Sequence, residues 1–211
     1  MPPRTADPRS DEELVLAVRG GELEAFDDLY RRYAGRLYGY LLRASAAEAD
    51  RAEDLVHDVF LRVLKDRSFD PRRGRFSAWL FTVARNRVFE GHRRERSRPE
   101  LVAELHEEGS ARPSLGPAVD ELVDRRRKVH AAMAELSEAH RQVLLLKQVG
   151  GLTYAEIGEA LGVAEGTIKS RLHAAVRAFR EQMLRLQSES ITEGGELLEL
   201  AALKKAKGEA R

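Results

Sequence analysis

Apolar residues recur at helical spacing along most of the chain and predict an all-α protein. The clearest stripe lies between Ala52 and Leu64, where apolar side chains return at intervals of three and one residues, and it predicts the third helix. Before it, a long stripe from Leu23 to Leu41 predicts the second helix. An earlier short helix is predicted after Ser10, which has Glu13 in the capping-box position. A fourth helix is predicted from about Ser77, and we assign its Trp79 to the core.

Two short helices joined by a tight turn are predicted between Gly150 and Phe179. Thr153 and Glu156 form a second capping-box pattern, and Gly162 ends the first helix. The apolar stripe of the second helix turns a set of polar and basic side chains to solvent: Thr167, Lys169, Ser170, Arg171 and His173. Such a helix suits the major groove of DNA, because cations neutralise phosphates while Thr, Ser, Arg and His reach base edges. A merely solvated basic face is the alternative.

A change of composition divides the chain into two predicted helical domains. Residues 1–10 are expected to form a disordered tail, and residues 11–97 the first domain. Residues 98–122 are rich in Pro, Gly, Ser, Ala and acids, which predicts a flexible acidic linker. The second domain is expected at 123–187. A C-terminal extension, 188–211, follows, and its last residues suit one short amphipathic helix; a tail, a regulatory helix and an additional partner contact are the alternatives for it.

Composition excludes several classes of protein. No apolar run approaches the roughly 20 residues of a membrane span, and the first ten residues lack the apolar core of a signal peptide. The chain has no cysteine, and its six histidines show no metal-ligand pattern. No glycine-rich phosphate loop is present. We therefore expect a cytoplasmic protein without membrane insertion that is not an enzyme, with no catalytic residue, no metal and no cofactor.

Charge is segregated along the chain although the formal net charge is only +1. From Phe81 to Arg98 six arginines face two acidic residues, whereas from Pro99 to Asp124 seven acidic residues face one arginine. Asn86 lies among the arginines. Its amide can donate to a base and accept from it, while the arginines hold phosphates. A solvated basic helix end is the alternative.

The third helix carries an acidic line opposite its apolar stripe. Asp54, Asp58 and Leu61 fall on one exposed side of this helix. Acidic side chains beside an exposed leucine suit the docking of a basic partner helix. Periodicity alone is equally consistent with a solvated surface.

Three stretches span both predicted domains: AEDLVHDVFLRVLK at 52–65, FSAWLFTVARNRVFEGHRR at 76–94, and LSEAHRQVLLLKQVGGLTYAEIGEALGVAEGTIKSRLHAAVRAF at 136–179. In order and spacing they resemble a bacterial sigma factor of the sigma-70 family, in its small two-domain extracytoplasmic-function group. The resemblance implies a four-helix sigma-2-like domain and a helix-turn-helix sigma-4-like domain. It also implies a factor that directs core RNA polymerase, through the β and β′ subunits, to promoter DNA.

The resemblance gives each surface a role. Docking onto the coiled coil of β′ maps onto Asp54, His57, Asp58 and Leu61. The fourth helix and the loop after it would melt the minus-10 element and capture an extruded base, which maps onto Arg75, Arg85, Asn86, Arg87, Arg93 and Arg94. Unstacking costs a few kcal/mol, which hydrogen bonds to the flipped base can offset. The minus-35 element would be read by Thr167, Lys169, Ser170, Arg171 and His173. The acidic linker would lie in basic channels of polymerase.

The sequence departs from the family at both docking surfaces. His57 stands where the family usually has Gln, and Ala174 and Val176 stand where arginines usually follow. We therefore expect fewer contacts to the minus-35 element. We do not expect tight promoter binding without polymerase. An anti-sigma factor is expected as a partner. The alternatives are a stand-alone helix-turn-helix regulator, or an interaction protein that sequesters other factors through the acidic linker.

Overall fold

The computed structural model describes residues 7–45, 49–96 and 117–208, and these are helical with no strand among them. The helices are α1 (Asp11–Arg19), α2 (Leu23–Ala44), α3 (Ala49–Lys65), α4 (Phe76–Arg96), α5 (Pro117–Ala134), α6 (Glu138–Gln148), α7 (Tyr154–Leu161) and α8 (Glu165–Gly208). The all-α prediction is confirmed. Most of the predicted linker and the first six residues of the predicted tail lie outside the described residues. None of the helices in these ranges has the length and apolar character to cross a bilayer.

The described residues group into two compact units. The first contains α1 to α4 together with residues 142–172, and the second contains the described parts of 105–141 and 173–211. In the first unit α2 packs against α1 and α3, α4 contacts all three, and α7 packs against α4. This grouping reflects packing, and the domain limits predicted from the sequence stay a prediction.

Both predicted capping boxes are present. The Glu13 carboxylate accepts the Ser10 backbone N–H at 2.7 Å, while the Ser10 hydroxyl accepts the Glu13 N–H at 3.2 Å. Thr153 and Glu156 repeat this arrangement at the start of α7, with the same two distances. Gly162 ends α7 with φ of 67°, a left-handed conformation that favours glycine. These three local signals therefore fix where α1 and α7 begin and where α7 ends.

The apolar stripe of α3 is buried along most of its length. Its inward residues are Ala52, Val56, Val59, Phe60 and Val63. Leu64 ends the stripe but is 43% exposed. Trp79 of α4, which we assigned to the core, is only half-buried. The periodicity therefore identified the buried faces correctly but not how completely each end of a stripe is covered.

α8 is much longer than the sequence predicted. Ile168, Leu172 and Ala175 form its buried stripe as expected. The helix then continues through the polar segment SESITEGGE at 188–196, where we had expected it to have ended, and through most of the C-terminal extension. That segment contains no proline, and its polar residues indicate exposure to solvent without terminating a helix. Side chains beyond Ser188 lie outside the described part of the chain.

Candidate nucleic-acid interface

The acidic line of α3 is open to solvent. Asp54, His57, Asp58 and Leu61 are all exposed, with Leu61 48% exposed. The Asp58 carboxylate lies 3.8 Å from the guanidinium of Arg87 on α4, a distance that gives a weak, solvent-screened attraction. The four side chains predicted for docking thus form one exposed surface along α3.

The second half of α4 presents an amide between two partly covered arginines. Asn86 is exposed, whereas Arg85 and Arg87 are half-buried. Arg87 also lies 3.4 Å from Glu90. The Nε atoms of both arginines are buried, with no acceptor among the described residues. Because these two N–H groups are buried, an acceptor on a ligand reaches them only if the arginine side chains move.

The predicted minus-10 residues whose side chains the structure describes do not form one cluster. Arg75 immediately precedes α4, while Arg85 lies ten residues, or about 15 Å, further along the helix. Arg93 is exposed near the end of α4, and the side chain of Arg94 lies outside the described residues. The loop after α4, which we expected to help capture the base, also lies outside them.

A cavity of about 270 Å³ lies at the opposite end of α4, beside the loop that precedes this helix. It is lined by Ser68, Phe69, Asp70, Arg73, Gly74, Arg75, Ala78, Trp79, Thr82 and Glu159. Its size is close to the lower end of the range of about 300–1,000 Å³ that is typical of small-molecule sites. Asn86 lies one helical turn beyond Thr82 on the same side of α4.

One side of this cavity is formed by two aromatic residues, Phe69 and Trp79. The rings of Phe69 and Trp79 have centroids 5.6 Å apart, and Phe76 lies 5.6 Å from Phe69 and 5.9 Å from Trp79. Phe69 and Phe76 are buried, so they hold the half-exposed Trp79 ring in place. Arg73 and Arg75 are exposed at the cavity. The arrangement offers a planar ligand a stacking surface with cations nearby.

The sequence analysis missed this cavity, although its parts were visible. Of the three arginines in the loop FDPRRGR (69–75), only Arg75 was assigned from the sequence, to minus-10 DNA, and the other two were given no role. Trp79 was assigned to the core. An aromatic residue at each end of an arginine-rich loop was the signal that could have indicated a binding site.

The exposed face of α8 contains most of the predicted minus-35 residues. Thr167, Lys169, Ser170 and His173 are exposed, whereas Arg171 is half-buried. At about 100° per residue, Lys169, Ser170 and His173 share one side of the helix and Arg171 points well away from it. Lys169 pairs with Glu165 at 2.8 Å, and the hydrogen bond from this pair raises the pKa of Lys169.

Two further arginines continue this face and were not predicted. Arg177 and Arg180 are exposed and lie on the same side of α8 as Ser170 and His173. Within the described ranges neither of them forms an ion pair. Ala174 and Val176, the two departures from the family pattern, are half-buried. Relative to the family pattern, α8 therefore lacks arginines at the half-buried positions 174 and 176, but it carries the exposed Arg177 and Arg180 about one turn later.

Comparison with known proteins identifies both halves of the chain. Residues 29–98 match the family model "Sigma-70 region 2", and residues 126–179 match "Sigma-70, region 4". The ECF RNA polymerase sigma factor SigL of Mycobacterium tuberculosis H37Rv is 38% identical over 184 residues, which cover 84% of this chain and 98% of SigL. The chain belongs to the ECF group of sigma-70 family factors.

Solved structures agree with this assignment. CnrH, in complex with the cytosolic domain of CnrY, superposes with a TM-score of 0.61 at 21% identity, over 86% of this chain and 99% of CnrH, which supports the fold. The sigma factor RpoE of Bartonella quintana, in complex with the anti-sigma factor NepR, gives a TM-score of 0.53 at 25% identity over 76% of this sigma factor and 97% of RpoE. Because region 2 accompanies region 4, this protein is a promoter-directing sigma factor and not a stand-alone regulator.

Proposed function

We propose that three surfaces of this sigma factor carry out three steps of initiation. The exposed line of α3 docks onto core RNA polymerase. The cavity at the start of α4, with Asn86 one turn away, holds single-stranded minus-10 DNA. The exposed face of α8 binds the minus-35 duplex. The observation that supports this division best is the aromatic cavity between the arginine-rich loop and α4.

Docking on polymerase is assigned to Asp54, His57, Asp58 and Leu61. Two carboxylates on one side of α3 attract a basic helix, and the exposed Leu61 gives that helix an apolar contact. An imidazole at His57 retains a hydrogen-bond donor and an acceptor, as the amide usual at this position does. The coiled coil of β′ is the partner that the family relationship favours.

Capture of the minus-10 strand is assigned to the cavity and the arginines near it. A base extruded from the non-template strand would stack on Trp79, while Arg73 and Arg75 neutralise phosphates. Asn86, one helical turn from the cavity, would hydrogen-bond a neighbouring base. Arg85, Arg87, Arg93 and Arg94 remain as predicted backbone contacts along the rest of α4.

Binding of the minus-35 element is assigned to the exposed face of α8. Lys169, Ser170 and His173 are the proposed readers. From Lys169 to Arg180 the helix rises about 16 Å, which exceeds the major-groove width of about 12 Å. The C-terminal end of the line therefore meets the DNA backbone, and Arg177 and Arg180 would supply the phosphate contacts that Ala174 and Val176 lack. Thr167 and Arg171 flank this line and are retained as edge contacts.

The proposed action is recruitment and melting, which requires no catalytic residue, metal or cofactor. A cytoplasmic location goes with it, because core polymerase and promoter DNA are there. The relative RpoE was solved with an anti-sigma factor, and an anti-sigma partner is part of the proposal for this chain.

Run-off transcription with purified core polymerase tests the proposed function. Fragments of DNA from upstream of the protein's own gene serve as candidate promoters. We expect a specific transcript only when both core polymerase and the sigma factor are present. If no candidate promoter gives a transcript and the chain does not co-purify with core polymerase, the assignment of these surfaces is wrong.

A further inference from the structure

Two carboxylates of α7 accept hydrogen bonds from residues at the start of α4. The Glu156 carboxylate accepts a hydrogen bond from the Ser77 hydroxyl, and the Glu159 carboxylate accepts the backbone N–H of Arg75 at 3.0 Å. One turn further along α4, the Thr82 hydroxyl lies 3.3 Å from the carbonyl oxygen of Ala160. The first two turns of α4 therefore have specific partners on α7.

The segment before α7 is held against α2 as well. The guanidinium of Arg36 donates to the Gly150 carbonyl oxygen, at 2.7 Å from Nε, and stacks 5.0 Å from the ring of Tyr33. The packing is tight, because a Cβ atom added at Gly39 would lie 3.0 Å from Cγ1 of Val149. Close packing and directed hydrogen bonds together define one arrangement of this segment.

This arrangement places a carboxylate at the cavity of α4. Glu159 lines the cavity, and its Oε2 atom lies 3.0 Å from where a Cβ atom of Gly74 would be. It also occupies the backbone N–H of Arg75, a donor that a nucleic acid would otherwise use. A negative side chain at this point repels a DNA strand that approaches the same cavity.

The arrangement is also incompatible with simultaneous binding of both promoter elements. Elements centred at minus 35 and minus 10 are about 25 base pairs apart, or about 85 Å of duplex at 3.4 Å per base pair. Only residues 162–164 separate α7 from α8, so the N-terminal end of α8 stays close to α7. α4 itself is only about 31 Å long. While α7 contacts α4, the start of α8 cannot reach a minus-35 element.

We propose that the contact between α4 and α7 is a self-inhibited, closed state of this sigma factor. In that state Glu159 blocks the cavity, and formation of the promoter complex requires α7 to leave α4. This inference rests on the proposed function of the cavity. It adds that the chain restrains its own DNA binding before any anti-sigma factor is present.

A disulfide lock tests the closed state directly, because the chain has no cysteine of its own. An added Cβ at Gly39 would lie 3.0 Å from Cγ1 of Val149, which is where the Sγ atom of a cysteine at 149 would lie, so this pair suits a Gly39→Cys, Val149→Cys double variant. We expect the oxidised double variant to give at least about tenfold less run-off transcript than the same sample after reduction, which is about 1.4 kcal/mol. Both single-cysteine variants should respond to neither treatment.

Equal transcription by the oxidised and reduced double variant, with the disulfide verified by mass spectrometry, would overturn the proposal. A failure of the proposed function is recognisable separately, because the wild type would then give no transcript either. A second readout still decides the closed state in that case. Trp79 is the only tryptophan, so its fluorescence reports on the cavity alone.

Acrylamide quenching of Trp79 provides this second readout. Glu159→Ala should raise the quenching constant about twofold, because the carboxylate no longer covers the cavity. Glu135→Ala, at an exposed residue between α5 and α6, is the matched control and should leave quenching unchanged. If both variants quench like the wild type, Glu159 does not block the cavity and the proposal fails.

Discussion

The two surfaces that we propose to bind DNA are built in opposite ways. The cavity at the start of α4 is concave and aromatic, and Glu159 of the same chain already contacts it. The face of α8 is convex, and its Ser170, His173 and Arg177 are exposed. A flipped base must be enclosed, whereas a duplex must be entered by a projecting helix. A concave site can be filled by a side chain of the protein itself, so self-inhibition acts more easily on the proposed minus-10 cavity than on the face of α8.

The largest expected effect concerns the stacking wall of the cavity. Trp79→Ala should weaken binding of the minus-10 strand by about 1–3 kcal/mol, because stacking of a base on an aromatic side chain contributes that much. Permanganate reactivity of melted thymines measures the open complex. Trp79→Phe keeps a ring and is the matched control. If the alanine variant opens promoters as the wild type does, the base does not enter this cavity.

A smaller effect is expected one turn along α4. Asn86→Ala should impair open-complex formation by about 1 kcal/mol, the size of a typical hydrogen bond, and leave binding to core polymerase unchanged. Because Asn86 is exposed, the substitution should not alter the fold. Co-purification with core polymerase is the control. If the Asn86→Ala variant melts promoters normally, Asn86 does not bind the single strand, and the proposed single-strand contacts are limited to the cavity.

Substitutions on the proposed minus-35 face of α8 should change the salt dependence of DNA binding rather than promoter melting. Replacing Arg177 and Arg180 together by alanine should weaken minus-35 binding on all sequences alike and reduce the slope of log K against log salt by about 2. A salt titration of holoenzyme binding to a duplex fragment measures both effects. Replacing Glu135 instead should change neither. A loss confined to one promoter sequence would show that these arginines read bases.

Local signals in the sequence predicted much of the fold. The capping boxes at Ser10 and Thr153 were predictable because both partners lie three residues apart. The buried stripe of α3 was predictable because helical periodicity alone fixes which side faces inward. α8 exceeded its predicted length because a polar composition was taken for the end of a helix. The exposed and buried sides of helices were thus more predictable than their ends.

The candidate site was less predictable, since it depends on residues far apart in the chain. The cavity requires Phe69 and Trp79 from one stretch, and Glu159 from about 80 positions later. The periodicity of apolar residues along one helix does not predict that residues so far apart in the chain line the same cavity. The exposed line of α3 and the face of α8 were predictable because each lies on one helix. Arg177 lies inside the family-like stretch 136–179, but the residues assigned to the minus-35 element end at His173.

The smallest expected effect is a pH response of the α4–α7 contact. Burial raises the pKa of Glu156, but hydrogen bonds from Ser77 and Thr153 outweigh burial and hold this pKa below its ordinary value of 4.5, with Arg36 acting in the same direction. Because the pKa of Glu156 is lowered in the α4–α7 contact, the contact is stabilised at pH values above the ordinary glutamate pKa. This stabilisation is lost as the pH falls through the lowered pKa of Glu156. Since Glu156 is partly exposed, solvent screening keeps its contribution below about 1 kcal/mol.

Acrylamide quenching of Trp79 during an acid titration measures this response. Quenching should stay constant from neutral pH down to the ordinary glutamate value of 4.5 and should rise only below it, as protonation weakens the hydrogen bond from Ser77. Glu156→Gln should remove the dependence on pH. Glu13→Gln is the matched control, because Glu13 has the same role in a capping box and a lowered pKa from its bonds to Ser10, but lies on α1. If both variants titrate alike, the response comes from helix capping and not from closure of the cavity.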